Sequence, residues 1–310
     1  MLLFPIISLL VAAAAAIAIR ERHMRTHAEI QHHLLEQIIL GNNHSERYTE
    51  QLSLLAGRTT KHAAAELVSS LTPILYRVEA TPIESIAHSL HLTRFLLTEA
   101  RRSSTARRAH LLSIASRIPP TGDSTELLEH FAHSEQRDVR LFALLTQINS
   151  DQQNALRHIA AYPFAMTQFE IAQLVSLLRQ GSLVVAYPPM LSSSSENLQL
   201  LGLAIVRHFG IESAKGELHE MIRCTTNYAI SREVLYTIAS MQLPLDSLAL
   251  RSFVIRMPPH DKARFLRYAV CEGYSQGAIE SLGTTDENKK ISSLINSYKI
   301  KIRCFQHSLS

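Results

Sequence analysis

A serine near the C-terminus lies in a pattern that is typical of catalytic serines. Residues 273–277 read GYSQG and fit G-x-S-x-G, a tight turn that presents a nucleophilic serine beside backbone N–H groups. Asp286 and His307 follow Ser275 in the order acid, then histidine. In such a triad His307 would take the serine proton, Asp286 would orient His307, and the serine oxygen would attack an acyl carbon.

The motif resembles that of cutinase-like serine hydrolases, down to its tyrosine and glutamine. That resemblance implies a strand before Ser275 and a helix after it. The surrounding sequence predicts something else, because residues 261–273 (DKARFLRYAVCEG) have the apolar spacing of an amphipathic helix. Gly273 is suited to a left-handed helix end. We expect Ser275 to lie between two helices as a cap, with a serine hydrolase as the alternative function.

The composition predicts an all-α protein. Glycine is 10 of 310 residues, tryptophan is absent, and good helix formers recur throughout. A doubly wound hydrolase needs glycine-rich turns and continuous Val/Ile runs, and only residues 182–187 (SLVVAY) come near such a run. The three cysteines, Cys224, Cys271 and Cys304, form no C-x-x-C pair, so we expect reduced thiols and neither a disulfide framework nor a zinc site.

The histidines and arginines give weaker evidence for a functional site than the G-x-S-x-G motif does. Pairs of histidines at helical spacing could share a metal, but no third ligand or H-E-x-x-H motif accompanies them, so no metal site is predicted. No Walker A or G-x-G-x-x-G pattern implies a cofactor. The net charge of +4 is too small for a nucleic-acid-binding stripe. The pairs are His23 and His27, His88 and His91, and His130 and His133; the densest basic cluster is Arg101, Arg102, Arg107 and Arg108.

Residues 2–19 predict a membrane anchor. They contain no charge, and a helix of that length spans about 27 Å, enough for a bilayer core. Arg20, Arg22 and Arg25 follow and, by the positive-inside rule, place the N-terminus outside the cell's inner membrane and residues 20–310 in the cytoplasm. Contact with anionic lipid headgroups is a second role open to these arginines. A cleaved signal peptide is the alternative, although no basic residue precedes the segment.

Apolar residues recur at helical spacing from residue 26 to residue 303. Glycine and proline break the pattern, and residues 181–195 form the one long irregular stretch, a candidate hinge or functional loop. The predicted helices are 26–40, 46–56, 60–76, 82–100, 104–117, 123–132, 136–148, 152–161, 167–180, 195–209, 213–223, 230–242, 245–256, 259–272, 275–282 and 286–302.

These helices contain a repeat with a period near 30 residues, the length of one helical hairpin. A single hairpin cannot bury its apolar face, so neighbouring hairpins must stack into a solenoid. The positions taken as equivalent, each an inward apolar residue of a second helix, are Val139, Phe169, Leu198, Val234, Ala263 and Ile291.

Asp138-Val139-Arg140 with Ala143 resembles the second-helix signature of HEAT repeats, in particular the short bacterial type. The resemblance implies a polar ladder of Asp and Arg side chains and an inward-packed Val and Ala. Residues 197–210 resemble the same helix with Gln199 at the arginine position and a glycine at the alanine position. The likeness covers roughly residues 101–303.

Together these features predict four regions: an anchor over 1–20, a juxtamembrane helical region over 21–100 (divergent repeats or a stalk), a HEAT-like solenoid over 101–303, and a tail over 304–310. We expect a membrane-anchored cytoplasmic scaffold that binds an unidentified protein partner and is not an enzyme. A helical regulatory subunit of a membrane complex is a further alternative. No catalytic, metal or cofactor-binding residue is predicted.

Overall fold

The computed structural model describes residues 21–38 apart from 23 and 37, residues 57–75, 81–119, 125–179 and 186–282, and residue 293. The elements in these residues are α-helices and two 3-10 turns, with no strand among them, so the predicted all-α class is confirmed. None of the described helices is both long and apolar enough to cross a membrane. The predicted anchor 2–19, Arg20, helix 46–56 and nearly all of helix 286–302 lie outside the described residues.

The chain divides into two compact units. Unit 1 comprises Met1–His158 and Arg179–Leu183, and unit 2 comprises Ile159–Leu178 and Val184–Ser310. Unit 1 holds a helical segment over residues 24–36, then α1 (Arg58–Leu75), α2 (Thr81–Ser89), α3 (Leu92–Arg102), α4 (Thr105–Ala115), α5 (Thr125–Ala132), α6 (Arg137–Ser150) and a 3-10 turn (Gln152–Asn154).

The boundary after His158 falls inside α7 (Ala155–Ala161), and α8 (Gln168–Arg179) belongs to unit 2 up to Leu178. The other elements of unit 2 are α9 (Tyr187–Leu191), α10 (Glu196–Phe209), a 3-10 turn (Glu212–Ala214), α11 (Lys215–Cys224), α12 (Tyr228–Ser240), α13 (Leu248–Arg256), α14 (Pro259–Cys271) and α15 (Gln276–Glu280).

One predicted helix is in fact two. Residues 82–100 were expected to form a single helix, but α2 ends at Ser89 and α3 begins at Leu92. The break lies at His91, whose backbone is left-handed with a φ of 49°. Such a conformation is uncommon for a residue with a Cβ, and no glycine or proline marks it in the sequence.

The stretch 181–195 is not irregular throughout, and this prediction was wrong for its second half. Residues 187–191 form the short helix α9, which begins at a tyrosine followed by two prolines and packs against α10. Gly202 permits the close approach, because a Cβ there would lie 2.9 Å from the Cβ of Met190. Proline is well suited to the first turn of a helix, where its missing N–H has no partner to lose.

Within each unit the helices pack in a regular order. We call α4, α6, α8, α10, α12 and α14 the second helices, and α3, α5, α7, α9, α11 and α13 the first helices. In unit 1, first helix α3 contacts first helix α5, while second helix α4 contacts second helix α6. In unit 2, α9 contacts α11 and α11 contacts α13, while α10 contacts α12 and α12 contacts α14.

The second helices start at regular intervals along the chain. The residues that precede them are separated by 32, 31, 28, 32 and 31 residues, which matches the period near 30 read from the sequence. Thr167 forms a reciprocal pair with Glu170, in which the Thr167 hydroxyl accepts from the Glu170 N–H and the Glu170 carboxylate accepts from the Thr167 N–H. The six residues that precede the second helices are, in chain order, Ser104, Gln136, Thr167, Ser195, Asn227 and Pro258.

Four second helices share one hydrogen bond. Count four residues on from the residue that precedes each of these helices, and the side chain there donates a hydrogen bond. Its acceptor is a backbone carbonyl at the end of the preceding helix or just beyond it. A carbonyl at a helix end has no partner within its own helix, so the bond closes the turn between the two helices. The four are Arg108 to Ala100 and Ser103, Arg140 to Ser134, Gln199 to Ser193, and Lys262 to Ile255.

The predicted register is correct in part. Val139, Leu198 and Val234 are buried, but Phe169 is 59% exposed and was wrongly assigned an inward position. Ala263 is only half-buried, and Ile291 lies outside the described residues. In α8 the inward side chains are Ile171, Leu174 and Val175. Of the two residues expected in a polar ladder, Arg140 is buried and Asp138 is exposed.

Val139 provides a test of the packing in unit 1. It is fully buried in a core that includes α3, α4 and α5 residues. Val139→Asp would place an unpaired carboxylate there and should lower the free energy of unfolding by more than about 3 kcal/mol. Val139→Ala removes methyl groups without adding charge and should cost about 2 kcal/mol. Urea unfolding followed by far-UV circular dichroism measures both, and equal costs for the two variants would contradict the buried assignment.

Candidate functional site

The G-x-S-x-G residues lie at the junction of two helices. Helix α14 occupies the place where a hydrolase has its strand, and Gly273 ends it with a φ of 90°. The Tyr274 hydroxyl donates to the carbonyl of Leu243, beyond the end of α12. Ser275 is the N-cap of α15, and its Oγ accepts from the Ala278 N–H at 3.3 Å. The motif is thus explained by helix termination and capping.

The other two members of the predicted triad, Asp286 and His307, lie outside the described residues. Within the part of the chain that the structure describes, no strand leads into Ser275 and no strained turn presents its hydroxyl. The short pattern therefore occurs without the setting from which a nucleophile elbow derives its reactivity.

Of the histidine pairs, His23 lies outside the described residues. His88 and His91 have ring centroids 6.0 Å apart, and no group of three possible metal ligands occurs among the described residues. Cys224 and Cys271 are free and exposed. In the arginine cluster between α3 and α4, Arg108 turns back to close the hairpin.

A groove in unit 2 brings together more charged side chains than any of these motifs. It has a volume of about 620 Å³ and is open to solvent. Second helices α8, α10, α12 and α14 supply its walls, and we call it the arginine groove. Its lining residues are Gln168, Arg207, Arg232, Glu233, Tyr236, His260, Asp261, Arg264, Arg267, Tyr268 and Cys271.

Glu233 is the buried centre of the arginine groove. Glu233 is only 8% exposed, and its carboxylate accepts a hydrogen bond from Gln168 Nε2 at 3.2 Å. The same carboxylate forms ion pairs with Arg207 Nη1 at 3.6 Å and with Arg232 Nη2 at 3.5 Å. Because these partners come from α8, α10 and α12, one carboxylate links three second helices. A buried carboxylate needs such partners, since its desolvation is costly.

Arg264 and Arg267 extend from α14 on the opposite side of the groove. Both are exposed, and they are three residues apart, so they share one face of the helix. Arg267 Nε donates to the Ala263 carbonyl within the helix, and no described carboxylate forms an ion pair with either guanidinium. Four arginines against Glu233 and Asp261 leave the groove with a net charge of +2 when His260 is neutral.

The lining of the arginine groove includes an aromatic cluster. The Tyr236 ring packs against Phe265, with centroids 5.5 Å apart, and against Tyr268, with centroids 4.9 Å apart. Burial, and then the neighbouring Glu272, raise the pKa of Tyr268 to about 12, and burial raises the pKa of Tyr236. Both phenols therefore stay neutral at physiological pH, and the Tyr268 hydroxyl already bonds the Glu272 carboxylate.

Asp261 lies at the edge of the groove and is fixed by Tyr228. The Tyr228 hydroxyl donates to Asp261 Oδ2 at 2.6 Å. This bond, followed by one from His260, holds the pKa of Asp261 below its usual range, so the carboxylate is ionised at neutral pH. Burial and the same bond raise the pKa of Tyr228 to about 12. The groove thus keeps two fixed negative charges, Glu233 inside it and Asp261 at its edge.

The arrangement is suited to binding an anionic group. The sequence did not point to these residues, because they are scattered over about 100 positions and share no motif. One signal was present: α10, α12 and α14 each carry arginine on the face that lines the groove. Once the helices are aligned by their caps, this recurrence becomes visible.

A second pocket of about 640 Å³ lies in unit 1, between α1 and α4. Of the two arginines that line it, Arg58 pairs with Glu99, so this pocket has one guanidinium without a described ion-pair partner, Arg107, where the arginine groove has two; His27 lies 3.6 Å from Glu66. The His62 ring packs edge-on against Phe95, with centroids 5.0 Å apart, and its buried Nε2 makes no hydrogen bond within the described residues. This difference in guanidinium groups favours the arginine groove as the candidate functional site.

Comparison with known proteins identifies no relative: no family model, no curated protein and no solved structure matches the chain. The class that the structure defines is therefore an all-α protein of packed helices.

Ser275→Ala tests the capping role of the serine. The change removes the hydrogen bond to the Ala278 N–H and should lower the free energy of unfolding by about 1 kcal/mol. The wild-type protein should not react with a fluorophosphonate probe. Ser281→Ala is the matched control, because its hydroxyl bonds only a carbonyl in the preceding turn. Stoichiometric probe labelling that disappears in Ser275→Ala would establish a nucleophile and contradict the capping role.

His62 should make the stability of unit 1 dependent on pH. Burial, the largest influence, lowers the pKa of His62 below 6.5, whereas the unfolded chain keeps a value near 6.5. As the pH falls through about 6.5, the unfolded chain takes up a proton that the folded chain does not, so the free energy of unfolding decreases.

His62→Leu and His62→Gln remove the titrating ring, and both should show a smaller loss of stability between pH 7.5 and pH 5.5 than the wild type. Urea unfolding at the two pH values gives the comparison. A loss as large as that of the wild type in both variants would show that another group is responsible.

Proposed function

We propose that this protein is a membrane-anchored adaptor that binds a partner protein in the arginine groove of a HEAT-like helical-repeat domain. The groove carries the proposal: it is formed by consecutive second helices, and it presents two arginines that no described carboxylate neutralises. Helical repeats bind their partners on such extended surfaces.

The likeness to HEAT repeats has support beyond the short sequence signature. Second helices begin every 28 to 32 residues, and like helices contact like helices within each unit. The same side-chain-to-carbonyl bond closes four of the hairpin turns, with Arg140 and Gln199 each reaching six residues back. These regularities support hairpins that stack as repeats in each unit.

The membrane anchor is proposed from the uncharged segment 2–19. Arg22 and Arg25 are exposed in the structure, which leaves them available to lipid headgroups or to a role in topology. In this arrangement residues 20–310 are cytoplasmic and the groove faces a partner at the inner membrane surface. A helical regulatory subunit would use the same groove and differ only in belonging to a permanent complex.

An affinity pull-down tests the role of the groove. The tagged full-length protein is recovered from detergent-solubilised membranes, and co-purifying proteins are quantified by mass spectrometry. The double variant Arg264→Glu with Arg267→Glu replaces two positive charges in the groove with two negative charges. It should reduce capture of the specific partner about tenfold or more.

The control is Arg251→Glu with Arg256→Glu on the adjacent helix α13. Both control arginines are exposed and lie outside the groove. Arg256 also matches Arg267 in its local hydrogen bond, because its Nε donates to the Ser252 carbonyl as Arg267 Nε donates to the Ala263 carbonyl. The control should capture the partner as the wild type does. Equal capture by the groove variant would show that the partner binds elsewhere, and recovery of the protein only in the soluble fraction would contradict the anchor.

A further inference from the structure

We propose that the ligand of the arginine groove is an extended peptide segment in which two carboxylate side chains, two residues apart, bind Arg264 and Arg267. This inference rests on the proposed function and specifies the chemistry of its partner.

The four arginines of the groove differ in their partners. Arg207 and Arg232 share the single carboxylate of Glu233. Arg264 and Arg267 have no described carboxylate partner, and both are exposed on α14. An incoming carboxylate can therefore bind Arg264 and Arg267 without displacing another carboxylate, whereas at Arg207 and Arg232 it would compete with Glu233. Arginine binds carboxylates with geometry as well as charge, because its planar fork can donate two parallel hydrogen bonds.

The spacing of Arg264 and Arg267 along α14 resembles that of alternate side chains in an extended peptide. Side chains three residues apart on a helix have Cβ atoms about 5–6 Å apart. In an extended peptide, side chains at positions i and i+2 point to the same side and are roughly 6.5–7 Å apart. Two acidic residues separated by one residue thus come close to the Cβ spacing of Arg264 and Arg267, whereas adjacent acidic residues point to opposite sides. The predicted pattern is acidic-x-acidic.

Two aromatic rings lie beside Arg264 and Arg267. Tyr236 and Tyr268 pack with their rings tilted by 58°, and the Tyr236 hydroxyl keeps its hydrogen at neutral pH because burial raises its pKa. Phenol hydroxyls can donate to the carbonyls of a peptide backbone, and the ring faces can pack against an apolar side chain next to the acidic pair. A peptide supplies acidic side chains, backbone carbonyls and an apolar side chain together.

The same groove disfavours a nucleic acid strand. A strand carries a negative charge on every nucleotide, and several of these would face Glu233 or Asp261, which are fixed in the groove as negative charges. Only two uncompensated arginines are offered, too few for the multiple phosphate contacts on which nucleic acid binding depends. A recessed groove is also unsuited to the flat surface of a bilayer.

Fluorescence anisotropy with the purified full-length protein in detergent tests the inference. The probe is a fluorescein-labelled dodecapeptide with one Glu-Ala-Glu sequence in a Gly/Ser background. Its isomer has the same composition, with the two glutamates adjacent. We expect the Glu-Ala-Glu peptide to bind about tenfold more tightly than the isomer, and to weaken as salt is raised.

Arg264→Gln with Arg267→Gln should abolish the preference between the two peptides, and Arg251→Gln with Arg256→Gln should preserve it. Equal affinity for both peptides would overturn the proposed spacing. Tighter binding of a labelled oligothymidylate of the same length, lost in the Arg264/Arg267 variant, would overturn the choice of a peptide. If neither peptide binds while partner capture still depends on Arg264 and Arg267, the adaptor function stands and this inference fails. If the peptide preference holds while partner capture ignores both arginines, the ligand chemistry stands and the adaptor function fails.

Discussion

The burial of apolar helix faces against neighbouring helices holds each of the two units together. In unit 2 the second helices α10, α12 and α14 lie side by side because each buries part of the next. The turn between the helices of a hairpin must also satisfy the carbonyls at a helix end. Arg108, Arg140, Gln199 and Lys262 do this from equivalent positions. Stacking and turn closure together set the interval at which the second helices recur.

The arginine groove is a consequence of that stacking. Once second helices are adjacent, their polar faces form one surface, and side chains far apart in sequence become neighbours. Gln168 and Glu233 are 65 residues apart and share a hydrogen bond. The buried Glu233 is expensive in isolation, but its guanidinium and amide partners offset the cost. The result is a groove in which two arginines share one carboxylate and two further arginines have no described carboxylate partner.

The sequence predicted the helical class, most helix positions and the helix-boundary role of Ser275, because all three follow from local periodicity and capping. Prediction from the sequence failed where contacts between distant residues set the backbone conformation or the buried face. His91 adopts a left-handed backbone without a glycine, and α9 forms because Gly202 leaves room for Met190. Phe169 fits the repeat interval yet faces solvent, since an interval alone does not identify the buried face. The groove residues share no motif and are assembled only by the stacking of helices.

The nearest-neighbour packing of the hairpins also bears on how the chain reaches its folded state. Helix pairs that contact one another are almost all close in sequence, so folding closes short loops and pays little entropy for each. Such low contact order is associated with fast folding. During synthesis each hairpin can dock on the one made before it, without waiting for a distant segment to leave the ribosome. The two cores have no residue in common, so each unit can complete its own core in turn.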